Sequence, residues 1–441
     1  MGGPRQAGVN ITGTRAASGR LAASRTAWLV LALVAAANFG NFYVYDSIGP
    51  VADLLQRERG FSDTEIGWLN AIYSLPNIVL LLFGGWLVDR HGAGRMMAAT
   101  AAICFAGALL TAIGTGFAGM AAGRLLFGIG AETFNVATLA IVVHFFTGRQ
   151  LAFAIGASLA LGRAGAFAVD LSPAWMAAAY ADGWQAPLLV AALLAALSLA
   201  MSLAAWRLDR RRGAPPPAPR APAFAWRDVL GFGSAYWHLL ALCVLWYAVI
   251  FAFRSTFSIK YFQHAHGLDL AAAGAINSYV FLAALFATPA FGWLCDRIGR
   301  YAPFLAFGAL LLPIAIAVMA LPHGSLGLGT VLIGVSFSLV PAVMWPLTAR
   351  LVPANRLGTA LGLMWVVQNA GIAGANVVAG WLNDAYGAGA ANPAGYQPMM
   401  WYFFLSSAAG FCFALALWKQ AGRRRHEAPH SDQAAIPAPV G

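Results

Sequence analysis

Residues 85–92 read Gly-Trp-Leu-Val-Asp-Arg-His-Gly, and residues 292–299 read Gly-Trp-Leu-Cys-Asp-Arg-Ile-Gly. Each copy closes a long apolar segment. A basic residue, Arg95 or Arg300, follows before the next apolar segment begins. The copies lie 207 residues apart, close to half of the 441-residue sequence. A second set of landmarks keeps nearly the same spacing: Arg149, Ala154 and Gly156 correspond to Arg356, Ala360 and Gly362. A charged tight turn between hydrophobic helices, repeated half a sequence apart, points to an internally duplicated membrane bundle. Parallel repeats with a solute site between the halves are a transporter architecture.

Composition agrees. The protein is 60% hydrophobic and only 10% charged, against about 25% charged in soluble domains. A hydrocarbon core of ~30 Å needs ~20 apolar residues per helical crossing. Such segments fall at 28–47, 66–88, 97–118, 119–146, 150–171, 184–206, 236–259, 272–294, 302–321, 325–349, 356–382 and 398–418. The expected fold is therefore an all-α membrane protein, twelve transmembrane helices in two pseudo-symmetric six-helix bundles. The bundles span 26–206 and 236–418, with a basic, Pro-rich linker at 207–235. The ends, 1–25 and 419–441, are expected to be disordered. The short alternating segments of a β-barrel are absent.

The net charge of +11 is a topology signal. Of the 24 basic residues in loops and tails, 21 lie on the side of the termini and linker, and only Arg57, Arg59 and Lys260 lie opposite. The positive-inside rule puts both termini and the linker in the cytoplasm, and a nucleic-acid partner is not expected. The first apolar segment lacks a cleavage site and reads as a retained helix. Cys104, Cys243, Cys295 and Cys412 sit in apolar helices without pairing or metal spacing, so they read as packing residues. His264 and His266 alone do not make a metal site. No Walker-type loop, nucleophile elbow or metal cluster occurs, which argues against ATP-driven pumping and against catalysis. No cofactor is implied. The expected partners are a small-molecule substrate, protons if transport is coupled, and the lipid bilayer. The protein is expected to be a monomer, alone or with an accessory subunit.

Charges inside the bilayer cost ~2.5–3.5 kcal/mol each on insertion scales and usually face a cavity. Glu132 in the fourth segment lies ~20 Å deep, and Arg163 in the fifth lies ~12 Å from the outer face. A zwitterion fits between them, its ammonium at Glu132 and its carboxylate at Arg163. A mutual salt bridge locking the two helices is the alternative. Tyr73 and Trp345 are candidate cavity aromatics. Arg254 can bind an anionic group or snorkel. Gln368 and Asn369 fall at the repeat positions of Gly162 and Arg163 and offer neutral hydrogen bonding. In the turns, Asp89, Arg90 and Arg95, with Asp296, Arg297 and Arg300, can hold helices in one conformation and release them in another, or simply form polar turns. Asp46 lies near the outer end of the first segment as a gate residue or pairing partner and, with Arg124, as a candidate coupling residue. Arg124 lies near the outer end of the fourth and reads as interfacial.

The turn pattern at 85–95, its partial repeat at 292–300 and the six-plus-six arrangement resemble the major facilitator superfamily. Within it, Tyr43-Val44-Tyr45-Asp46 and Leu69 to Asn77 are similar to the first two helices of the MFSD1 family of lysosomal dipeptide transporters. So are Gly123-Arg124 through Glu132, Trp345-Pro346, Leu357 to Ala360, and Gln368-Asn369. This resemblance implies a dipeptide transporter in which Glu132 and Arg163 engage the substrate. In the superfamily at large, an arginine at the position of Arg124 is linked to proton coupling. The resemblance does not extend to Arg254, and the N-terminus carries no acidic dileucine sorting signal. Arginine and alanine usage suggests a bacterial inner (plasma) membrane. The fifth segment lacks the proline of antiporter signatures, which favours uniport or symport. An organic-anion carrier is the runner-up, and a non-transporting receptor or scaffold is a reading of another class.

Overall fold

The computed structural model describes residues 25–212, 229, 231–299, 301–353 and 356–427. They form α1 (Arg25–Tyr45, continued by Ile48–Arg59), α2 (Asp63–Ile72 and Leu75–His91), α3 (Ala93–Ile113), α4 (Phe117–Phe145), α5 (Gly148–Trp175) and α6 (Gln185–Arg212). The second half gives α7 (Ser234–Ala252, a π-turn at Phe253–Phe257, then Ser258–His266), α8 (Leu270–Ile298), α9 (Tyr301–Ala320), α10 (Leu326–Leu351), α11 (Leu357–Ala385) and α12 (Gln397–Glu427). Among the described residues, eleven crossings are long and apolar enough to span a membrane as continuous helices. The twelfth, α2, is broken at Tyr73–Ser74, so neither piece reaches full span. Twelve crossings bring the start of α1 and the end of α12 to one end of the molecule, here the terminal end; the other is the far end.

Four boundaries differ from the sequence reading, each for a physical reason. The first and seventh helices run on past their apolar segments, to Arg59 and His266. These extensions are amphipathic and pack against the other bundle, so Arg57, Arg59, Lys260 and His264 stand on helices rather than in loops. At the terminal end, α6 continues through Arg212, and α12 through Glu427, into the stretches read as linker and tail. Basic residues suit the last turn of a helix because they complement its dipole. The rest of the linker except Val229 and 231–235, and the expected disordered segments 1–24 and 428–441, lie outside the described residues. Arg300 lies outside them as well, and the side chains of Asp296 and Arg149 are not described.

Helices α1–α6 pack as one bundle and α7–α12 as the other. The bundles meet along α2 against α11 and along α5 against α8. Small residues make this approach possible. A Cβ at Gly67 would stand 2.3 Å from the Asn376 carbonyl oxygen, and one at Gly274 would stand 2.3 Å from that of Asp170. No other side chain fits at that separation without moving the helices apart.

Candidate functional site

The joined halves are held by polar contacts that run from the far end to mid-depth. At the far end, Asp384 at the end of α11 accepts hydrogen bonds from the backbone N–H of Asp63 and of Thr64, both at 2.8 Å. It thereby satisfies orphan donors at the start of α2. Lys260 pairs with Asp63, and both are 1% exposed. His264 lies 2.9 Å from Asp53 and 2.8 Å from the Tyr396 hydroxyl. Deeper in the interface, Asn70 donates to Thr256 at 2.8 Å, and Thr256 donates to Asn376 at 2.6 Å.

Arg254 occupies the π-turn of α7, a distortion that is frequent at functional sites. Its guanidinium bonds Asp46 of α1 at 2.5 Å and pairs with Asp170 of α5, and it lies 4.0 Å from the centre of the Phe281 ring. All three charged side chains are buried at 2–3% exposure. Arg254 therefore spans the interface as a bridge, already occupied by two carboxylates. Asp170 had no sequence signal beyond its place near the end of an apolar segment, where a charge is ordinary.

Arg124 is buried, not interfacial. It donates to the carbonyls of Val44, Tyr45 and Leu69 at 3.0–3.1 Å and to Asn70 at 2.8 Å. Val44 and Tyr45 stand where α1 turns before Ile48, and the Arg124 guanidinium caps that helix end together with Ser47, whose hydroxyl donates to the Val44 carbonyl at 2.8 Å. It also stacks on Tyr73, whose hydroxyl bonds that of Tyr45. Tyr73 is buried, so it faces Arg124 and Tyr45 rather than open space.

Glu132 and Arg163 are each half-buried near mid-depth. They do not pair with each other. Glu132 accepts a 3.2 Å hydrogen bond from Asn77 of α2, and the same Asn77 amide reaches Asn369 of α11 at 3.5 Å. Arg163 crosses the interface to the Thr288 hydroxyl of α8 at 2.6 Å and lies 5.3 Å from the Phe337 ring centre. Trp345 stacks on Trp365 at 4.9 Å. Gln368 is buried against Cys243. Of the residues chosen from sequence, Glu132 and Asn369 thus share a polar link through Asn77. Arg163 belongs to an aromatic wall of Phe251 and Phe337. Asn77 was visible only as part of a family-like stretch; its role depends on tertiary contact.

At the terminal end, Asp89 and Arg90 are exposed, with Arg90 over Trp86 at 5.1 Å. A Cβ at Gly94 would meet Asp209 at 2.6 Å, and Asp209 also lies 2.9 Å from His144. The turn thus abuts a polar α4–α6 contact. Arg297 has a partner of its own.

The model of the Major Facilitator Superfamily matches residues 31–376 and 258–439. The chain belongs to the major facilitator superfamily. Its relatives include the lysosomal dipeptide transporter MFSD1 of Homo sapiens, 30% identical over 408 residues, 88% of this chain and 87% of that protein. Among solved structures, a peptide transporter POT in complex with sulfate superposes with a TM-score of 0.72 at 17% identity, covering 89% of this chain and 94% of its own. A bacterial homolog to the human lysosomal transporter Spinster, inward-facing and unoccupied, gives 0.71 at 14%, covering 90% and 99%. These structures share the superfamily fold. The protein is a multi-pass membrane transporter and not an enzyme.

Proposed function

We propose that this transporter moves a dipeptide or a similarly small zwitterion by alternating access, as a uniporter or proton symporter. The observation that carries this reading is the pair Glu132 and Arg163: opposite charges at mid-depth, half-buried, and not spent on each other. A ligand ammonium replaces the weak Asn77 contact at Glu132. A ligand carboxylate takes the guanidinium of Arg163 in a charge-assisted bond stronger than that to Thr288. Phe337 and Phe251 supply apolar surface beside Arg163, and Asn369 supplies neutral hydrogen bonding beside Asn77. The name of the human relative and that of the peptide transporter support the substrate class. An organic-anion carrier needs a surplus of free cations, whereas Arg124 and Arg254 are both spent on internal acceptors.

In this reading Arg254 belongs to the far-end closure and not to the ligand. Asp89, Arg90, Arg95, Asp296, Arg297 and Arg300 act at the terminal end, where they hold the helices when that end closes. Both termini face the cytoplasm, and the membrane is a bacterial inner membrane. Thermal-shift titration of the purified protein tests the substrate class, because a ligand of the native state stabilises it by mass action. Dipeptides should raise Tm, and dicarboxylates should not. A rise with dicarboxylates alone would replace the dipeptide reading.

A further inference from the structure

Asn77 stands between Glu132 and the second bundle and uses only one half of its amide. The residue is 1% exposed. Its Nδ2 lies 3.2 Å from Glu132 Oε1 and 3.5 Å from Asn369 Oδ1. Its Oδ1 is buried and accepts no hydrogen bond from the described residues. The neighbours fix which way the amide faces. Asn369 donates its own Nδ2 to the Trp365 carbonyl at 3.0 Å, so its Oδ1 is what it offers to Asn77. A carboxylate at Glu132 only accepts. Two acceptors on one side call for the NH2 group of Asn77 there, and the same choice turns Oδ1 away from both.

A buried carbonyl without a donor is costly. Asn38 and Asn41 also carry unpartnered side-chain carbonyls, but Asn77 is the one bonded directly to Glu132. Oδ1 and Nδ2 of an amide share one carbon, so an N–H group that reaches Oδ1 also stands beside the Glu132 carboxylate. An ammonium at Glu132 brings three N–H donors, and each donor left unmatched in a buried site weakens binding. The Nδ2 group cannot help, because it is itself a donor. The unpartnered Oδ1 is the acceptor that fits.

We propose that Asn77 is the second half of the ammonium site: Glu132 holds the charge of the ligand N-terminus, and Asn77 Oδ1 accepts one of its N–H bonds. This rests on the chain being a dipeptide transporter with the ligand ammonium at Glu132. Asn77 then decides a specificity that Glu132 cannot, because a carboxylate attracts any ammonium whereas Oδ1 requires a further N–H. The site prefers a primary ammonium over an alkylated one of equal charge. The same amide reaches Asn369 of α11, so ammonium recognition is felt by the second bundle as well.

The test is equilibrium binding of one dipeptide, as the free amine and as its N,N-dimethyl derivative, at about pH 6, where both amines are charged. The dimethyl form keeps the charge and has a single N–H. The full-length protein is measured in lipid nanodiscs as the parent, Asn77→Leu and Asn77→Asp. The parent should prefer the free amine by about tenfold, the effect of one hydrogen bond to a charged group. Asn77→Leu keeps a branched side chain without an acceptor. It should bind the free amine about tenfold more weakly and the dimethyl form as the parent does, so the preference disappears. Asn77→Asp keeps an acceptor oxygen and should keep the preference. A merely structural Asn77 would weaken both ligands by one factor in Asn77→Leu, which overturns the proposal. A preference that survives in Asn77→Leu, or is lost in Asn77→Asp, overturns it too, as does a parent that binds both forms alike. A parent that binds neither form overturns the dipeptide reading, and this assignment with it.

Discussion

Glu132 and Arg163 lie in the same bundle, on α4 and α5, yet each turns to a different partner: Glu132 to Asn77, Arg163 to Thr288 across the interface. A ligand therefore need not break a salt bridge to enter between them. It exchanges two hydrogen bonds that each involve one charge for two contacts between opposite charges. Both exchanged bonds belong to networks that reach the second bundle, through Asn369 and Thr288. Ligand binding at these charges is thereby tied to how the bundles meet, which is the requirement of alternating access.

Gly67 controls how closely α2 approaches α11. Replacing it with leucine puts a side chain where the Asn376 carbonyl stands 2.3 Å from the Cβ position. The far end should then fail to close. Transport should fall at least tenfold. The fold should survive, because the residue packs between bundles and not within one. Normal transport by Gly67→Leu would remove the α2–α11 contact from the cycle.

Arg254→Met leaves Asp46 and Asp170 buried without their cation. Removing one partner of a buried ion pair typically costs ~3–5 kcal/mol. The variant should therefore melt several degrees lower or abandon far-end closure, and Asp46→Asn/Asp170→Asn added to it should restore part of the loss. Thermal unfolding of the three proteins checks this. An unchanged Tm together with unchanged closure would contradict the bridge.

Asp89→Asn and Asp296→Asn should slow transport while dipeptide affinity stays within about threefold. Their proposed role is to hold a conformation and not to touch ligand. Initial uptake rates and equilibrium binding separate the two quantities. Lost binding by a folded variant would move these residues into the ligand site.

The duplicated turn and the spacing of apolar segments carry the architecture because lipid permits few alternatives to helices. Glu132 and Arg163 stand out as candidates for a related reason: a charge in the middle of an apolar helix is costly in lipid and usually faces a cavity. Asp170 and Lys260 were not legible. They stand near the ends of apolar segments, where a charge is ordinary, and only the packing of α5 and α7 against the other bundle buries them. The continuation of α1 and α7 beyond their apolar segments was hidden too. A hydropathy window ends where polar residues begin, whereas the helices go on as amphipathic extensions. Arg124 read as interfacial because its partners are backbone carbonyls, which no pattern of residue types announces.

The central claim is that Glu132 and Arg163 read the two ends of a dipeptide. Equilibrium binding of one dipeptide, with free or acetylated N-terminus and free or amidated C-terminus, tests it in the parent protein, Glu132→Gln and Arg163→Ala. Each variant should lose at least a hundredfold in affinity, since stranding a buried charge costs ~3–5 kcal/mol. The parent should reject both blocked peptides. Arg163→Ala should be nearly indifferent to C-terminal amidation, and Glu132→Gln should discriminate less against the acetylated N-terminus. Parent-like binding by both variants, with only a lower Tm, would make the two charges structural and contradict the account.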